Sequence, residues 1–175
     1  MNKGLWKECI EFHGHACPGL ATGFRAAQVA MDELGIPLSR AKDEELVCVT
    51  ENEACGVDCI QYLTACTAGK GNLIFRPSGK MAYSFFHRDS GRSVRVVAKR
   101  FDRTEDREKI IERILNAPAE EIFMIKKPKY DVPERARMFE SVVCEECNEA
   151  CREDKIRLQN GKMLCIDCFD PYDRG

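Results

Sequence analysis

The chain has 175 residues, of which 44% are hydrophobic and 32% charged, with a formal net charge of -2. That length suffices for one ordinary domain plus a small appendage, with a core that needs no cross-links, and no apolar run approaches the ~18 to 20 residues that span a bilayer. The outlying number is the cysteines, 11 in all. An odd count cannot be wholly paired inside one chain, and Trp6-Lys7-Glu8 interrupts the opening apolar residues in a way no secretory signal would. The cysteines are therefore read as metal ligands, reactive thiols or small core residues of a cytoplasmic protein.

In chain order, Leu5, Trp6, Cys9, Ile10 and Phe12 recur at helical spacing and predict a short amphipathic helix ending near Gly14. A second helix runs from Pro18, a residue suited to a first turn, to about Leu34, where Gly35 and Pro37 stop it. Leu46 to Thr50 reads as a buried strand, followed by a helix from Val57 that runs to Gly69. Three strands follow, 72–76, 80–88 and 92–99, joined by Ser78-Gly79 and Asp89-Ser90-Gly91 into an antiparallel meander. Met81, Tyr83 and Phe85 alternate along the middle strand and mark one buried face, with His87 on that face as packing. Helices over 104–115, with Thr104 as N-cap, and 119–125 close the domain. The succession predicts an α+β fold in which helices pack on an antiparallel sheet.

Residues 126–133 are polar and twice interrupted by proline, which divides the chain into a core domain over 1–126, a linker over 127–139 and a small domain over 140–175. In the small domain, Cys144-Glu145-Glu146-Cys147 and Cys165-Ile166-Asp167-Cys168 are two CxxC pairs with 17 residues between them. Such spacing aims four thiolates at one zinc ion at ~2.3 Å. The Asn160-Gly161 turn folds the intervening segment into a hairpin that brings the pairs together. A segment of about 35 residues builds too little core of its own, so zinc supplies most of its folding free energy. Cys151 is the spare. Residues 140–175 carry net charge -4, and four thiolates around one zinc add more, so a protein partner fits this finger and nucleic acid does not.

The densest chemistry lies at His13-Gly14-His15-Ala16-Cys17-Pro18, where two of the three histidines and a cysteine fall together. Imidazole and thiolate side by side suit zinc or another divalent transition metal, and Cys17 immediately precedes a helix whose positive end favours a thiolate. Cys55, also just before a helix, is the natural further ligand. Cys59, on the same helical face as Cys55 at i and i+4, and Cys66, seven residues further near that face, are weaker candidates, and Cys9, Cys48 and Cys66 read first as small buried residues. Asp58, Glu51 and Glu53 are candidate general bases, and Cys17 is a candidate catalytic thiol. Lys70 sits in Thr67-Ala68-Gly69-Lys70-Gly71-Asn72, which follows a helix and so is not a phosphate cradle, but its position leaves the lysine a candidate for reaching the cleft.

Three motifs in order, His13 to Ala21, Cys55 to Gln61 and Cys66 to Leu73, resemble the formylmethanofuran dehydrogenase FmdE family. The resemblance implies an α+β core with a metal-binding cleft, a homodimer, an origin in archaea or anaerobic bacteria, and a treble-clef-like zinc finger appended at the C-terminus. It maps the family's first motif onto His13, His15 and Cys17, and its second onto Cys55, Asp58 and Gln61. Cys59 departs from the pattern, which has a small residue there. The chain is far too small to hold a molybdenum or tungsten pterin, so the implied role is an accessory subunit or a separate metal-dependent enzyme.

Overall fold

The computed structural model describes residues 2–101 and 105–174, which form two compact units over 1–136 and 137–175. The first unit opens with α1 (Lys3–His13) and α2 (Pro18–Leu34). Asn2 caps α1 by accepting from the Gly4 and Leu5 amides, and Gly14 ends it at φ 98°, a left-handed conformation that glycine adopts without a Cβ penalty. The turn is therefore tight. It leads directly into Cys17, whose sulfur accepts from the Leu20 amide at 3.3 Å and caps α2.

Next come β1 (Leu46–Thr50), α3 (Gly56–Thr64), β2 (Leu73–Phe75), β3 (Ala82–His87) and β4 (Arg92–Ala98), then α4 (Arg107–Asn116), α5 (Ala119–Ile122) and β5 (Phe123–Lys126). The sheet order is β2-β1-β3-β4-β5, with β1 and β2 parallel and the other neighbours antiparallel. The meander expectation is thus corrected at its first strand: β2 pairs with β1 across the α3 connection, not with β3. The cause is burial. All five β1 residues are buried, so this strand needs a neighbour on each side. The helix expected over 119–125 also gives way, because Phe123-Met124-Ile125 extends along β4 after a single helical turn. An aromatic and a β-branched residue suit a strand at that edge. α3 stops at Thr64, earlier than Gly69, with Ala65 left-handed at φ 53°. The Thr104 cap lies outside the described residues, and Asp106 caps α4 through the Glu108 and Lys109 amides.

One face of the sheet carries Cys48, Tyr83, Phe85 and Val96 into a core shared with α1 to α4. The opposite face is also covered, so the middle strand has two buried faces instead of one. Val47, Val49 and Phe86 cluster there with Ile74 and Tyr130. Tyr130 reaches them from the proline-marked segment after β5: its hydroxyl donates to Ser84 Oγ at 3.2 Å, and the Arg76 guanidinium lies 4.2 Å from its ring centre. Arg88 holds the Pro133 carbonyl, and Glu44 accepts from the Ala136 amide. His87 is half-buried and bonds Ser90 Oγ.

The second unit contains two hairpins, β6 (Ser141–Val143) with β7 (Ala150–Arg152) and β8 (Arg157–Gln159) with β9 (Lys162–Leu164), with a 3-10 turn at Glu153–Lys155 between them. Asn160 and Gly161 both take positive φ, as the two-residue turn between β8 and β9 requires. Its small core is Cys144, Leu164 and Cys165, with Cys151, Cys168 and Phe169 packed around them.

Two positions are tightly constrained. Arg95 is buried and forks onto Glu51, with Nε 2.5 Å from Oε1 and Nη2 2.9 Å from Oε2. The Arg95 hydrogen bond holds the Glu51 carboxyl below the usual glutamate range, against burial. Its stabilisation is fully present above the ordinary value of about 4.3 and is lost as pH falls through the lowered one. Glu51→Gln should cost about 3–5 kcal/mol in urea unfolding, because it strands a buried guanidinium; a change under 1 kcal/mol contradicts this. Gly23 is the other: an added Cβ would lie 2.0 Å from the Gly56 carbonyl oxygen. Gly23→Ala should therefore lose about 1–3 kcal/mol despite its better helix propensity.

Candidate metal centre

The candidate site forms where α1 turns into α2 and the start of α3 meets them. Gly14 reverses the chain, so His13, His15 and Cys17 converge, and their ligand atoms all lie within 4.8 Å of one another. A tetrahedral zinc site with bonds of 2.0–2.3 Å places its ligand atoms roughly 3.3–3.8 Å apart. The cluster is therefore close to ligating geometry. Cys17 is buried, His13 half-buried and His15 exposed, which leaves one side open.

α3 approaches through glycine. Cβ atoms added to Gly23 and Gly56 would collide with the facing backbone, and one at Gly19 would meet the Cys55 Cβ at 3.3 Å. This contact places Cys55 beside Cys17, although it falls outside the three-residue cluster. Burial first, and then the adjacent Cys17, push the Cys55 thiol up. From the first turn of α3, Asp58 reaches back to His13, with Oδ2 2.7 Å from Nδ1. With Nδ1 protonated, the imidazole donates to the carboxylate and turns its other nitrogen inward. That nitrogen, Nε2, is buried and has no hydrogen-bond partner among the described residues. A buried polar atom without a partner costs free energy, and a carboxylate behind a histidine is the arrangement that orients metal-bound imidazoles. The donor set of two imidazoles and one thiolate thus fits zinc or another borderline divalent metal.

The other expected residues divide. Glu53, Cys55, Asp58 and Gln61 line a cavity of about 390 Å³ with His13 and Phe75, so they share the site. Glu51 does not, because Arg95 and Ser78 hold it. Lys70 is not brought there either: it lies beyond the far end of α3, with Nζ donating to the Ala41 carbonyl at 2.7 Å. Cys59 is buried in the core, and its interaction with the neighbouring Cys9 thiol is the main cause raising Cys59 and lowering Cys9. Cys66 bonds the Leu46 carbonyl at 3.5 Å, and burial pushes its thiol up to about 11. Sequence reasoning missed Tyr83, whose buried hydroxyl stands against Gly56 and has no hydrogen-bond partner among the described residues. It also missed the pairing of Asp58 with His13, which no local spacing discloses.

In the second unit the sulfurs of Cys144, Cys147, Cys165 and Cys168 lie within 4.8 Å of one another. The Cys165 amide donates to Cys144 Sγ at 3.3 Å. Backbone amides at Cys147, Cys165 and Glu146 bring the Cys144 thiol down to about 6, while neighbouring Cys165 and Cys147 push Cys168 up to about 12. Four convergent sulfurs on two turns form a closed set, the arrangement of a structural site. The first cluster has three donors and an open side.

Fold and sites together define a class: an α+β protein with one open imidazole-thiolate cluster and one closed four-cysteine cluster. The family model described as "FmdE, Molybdenum formylmethanofuran dehydrogenase operon" matches residues 12–124, and the chain belongs to that family. The solved structure of a tungsten formylmethanofuran dehydrogenase FmdE-like protein from Syntrophus aciditrophicus shares the fold, with TM-score 0.67 and 23% identity over 93% of this chain and 91% of that one. A "Probable S-adenosyl-L-methionine-binding protein" of Archaeoglobus fulgidus is 29% identical over 193 residues, covering 93% of this chain and 51% of that protein. The chain thus spans about half the length of that relative.

Asp58→Asn should weaken metal binding at the first cluster about 10- to 100-fold while leaving the fold intact. Competition with a chromophoric chelator measures this, and an unchanged affinity would remove Asp58 from the site.

Proposed function

We propose that the first unit is a metal-dependent enzyme or accessory subunit in which His13, His15 and Cys17 hold zinc or another divalent transition metal. The observation that carries this reading is the buried, unpartnered Nε2 of His13 with Asp58 fixed behind Nδ1. Cys55 stands ready as a fourth ligand or, left free, as a neighbouring thiol. A metal bound there would supply Lewis-acid polarisation of a substrate oxygen or a lowered pKa for bound water. The chain's own residues do the rest. Asp58 fixes the histidine tautomer, Cys17 contributes thiolate charge at the start of α2, and Glu53 and Gln61 offer polar contacts in the cavity beside them. The substrate class is a small C1 or carboxylate compound.

The four cysteines of the second unit hold a structural zinc in this reading. Their finger docks a protein partner, a role supported by the exposed cross-strand pair Leu158 and Met163. The acidic charge of the segment disfavours nucleic acid. A homodimer and a cytoplasmic setting, where thiols stay reduced, complete the proposal. Among the described residues no helix is long and apolar enough to cross a membrane. A non-enzymatic regulatory module with the same metals is the second reading, favoured by the exposed Leu158 and Met163 pair on the finger's hairpin.

Elemental analysis should find about two metal ions per chain, one in each cluster. His15→Ala should remove one and leave the circular dichroism unchanged, whereas Cys144→Ala should remove the other. A single metal that Cys144→Ala abolishes would falsify the core site. Absorption-edge measurements on the His15→Ala and unaltered proteins identify each metal.

A further inference from the structure

A second cavity, of about 830 Å³, lies on another side of the first turn of α2. Its size is that of small-molecule sites, about 300–1,000 Å³. Pro18, Gly19, Met81, Val97 and Ile110 give it an apolar lining, and Lys80, Lys99, Arg100 and Arg107 add four cations. Glu105 is the one carboxylate among the described lining residues, and Arg113 engages it at 2.9 Å. Among the described lining residues the cations thus outnumber the carboxylates four to one. Two of them are anchored. Lys99 Nζ donates to the Glu120 carbonyl at 2.5 Å, which fixes the ammonium without neutralising it. Lys80 is tied through its backbone, its amide donating to the Glu51 carbonyl at 3.3 Å and its carbonyl accepting from Asn52 Nδ2 at 3.1 Å.

Gly19 connects this cavity to the candidate metal centre. It lines the cavity, and a Cβ placed on it would sit 3.8 Å from Cys55 Sγ and 3.9 Å from Cys17 Sγ. The wall between cavity and sulfurs is here a single residue without a side chain. Burying an apolar body against Met81, Val97 and Ile110 is favourable in proportion to area, and an acid group on the same molecule answers the cations. A neutral ligand of the same shape forgoes that second gain.

We propose that this cavity binds a small organic anion with an apolar body, and that this is the ligand class on which the metal centre acts. The second clause rests on the metal reading above; the first does not. Octanoate and octanol are the probes, titrated calorimetrically into the full-length, metal-loaded protein at low salt. Octanoate should bind at about one per chain and octanol at least tenfold more weakly. The exposed pair K80S/R100S should weaken octanoate about tenfold with circular dichroism and metal content unchanged, while Lys80→Arg retains binding. Equal binding of octanol, octanoate binding that survives K80S/R100S, or loss of binding in L158S/M163S on the finger would each overturn the anion site. His15→Ala separates the two ideas: the anion site predicts that octanoate still binds when the core metal is gone. Should the unaltered protein prove to hold no core metal while octanoate binds as described, the metal reading falls and the anion site stands.

Discussion

The close approach of α2 and α3 is the constraint from which the site follows. Gly19, Gly23 and Gly56 remove the side chains that would hold these helices at an ordinary 8–10 Å separation, and the facing backbones come into contact. Two helix N-termini are thereby brought together with Cys17 and Cys55 at their N-cap positions. The same contact lets Asp58, one turn into α3, reach the last residue of α1. Tyr83 fills the space beneath Gly56, so the sheet also takes part. A methyl group at either facing glycine would push apart the groups on which the chemistry depends.

Much of this was legible where the signal is local. Pro18 and Gly35 bound α2 where the chain places them, since one suits a first helical turn and the other a left-handed cap. The CxxC pairs disclosed the second cluster because their spacing is the geometry. His13, His15 and Cys17 were legible as one ligand set from their spacing, and the left-handed Gly14 supplies the turn that makes them converge. The failures have a common physical origin in long-range pairing. Lys70 looked close to the cleft because it follows the helix that Cys55 begins, yet a helix carries its two ends apart by 1.5 Å per residue. Glu51 looked like a base until Arg95, 44 positions away, claimed it. β2 and β5 were misplaced or misassigned because a short apolar run takes its partner from the tertiary fold.

The two clusters represent different uses of cysteine. In the second unit, four convergent sulfurs would saturate a tetrahedral ion and leave no position for a substrate, so a metal held there would contribute to folding. In the first, a large core already holds the chain together, and the donors number three with one exposed. Two imidazoles in place of thiolates make that donor set less negative than a four-thiolate one, and the Asp58 carboxylate behind His13 gives back part of the difference. A divalent metal held there would be a stronger electrophile toward an oxygen ligand than one held by four thiolates.

The segment carrying Tyr130 has a consequence for where the fold ends. The family match stops at residue 124, and the last strand at Lys126. A polypeptide cut there would keep every strand and helix of the first unit but uncover Val47, Val49 and Phe86 on the outer face of the sheet. Bare apolar patches of this kind invite self-association. The strap over 128–136 thus acts as a lining for an otherwise adhesive surface, and a soluble fragment of this protein has to carry it.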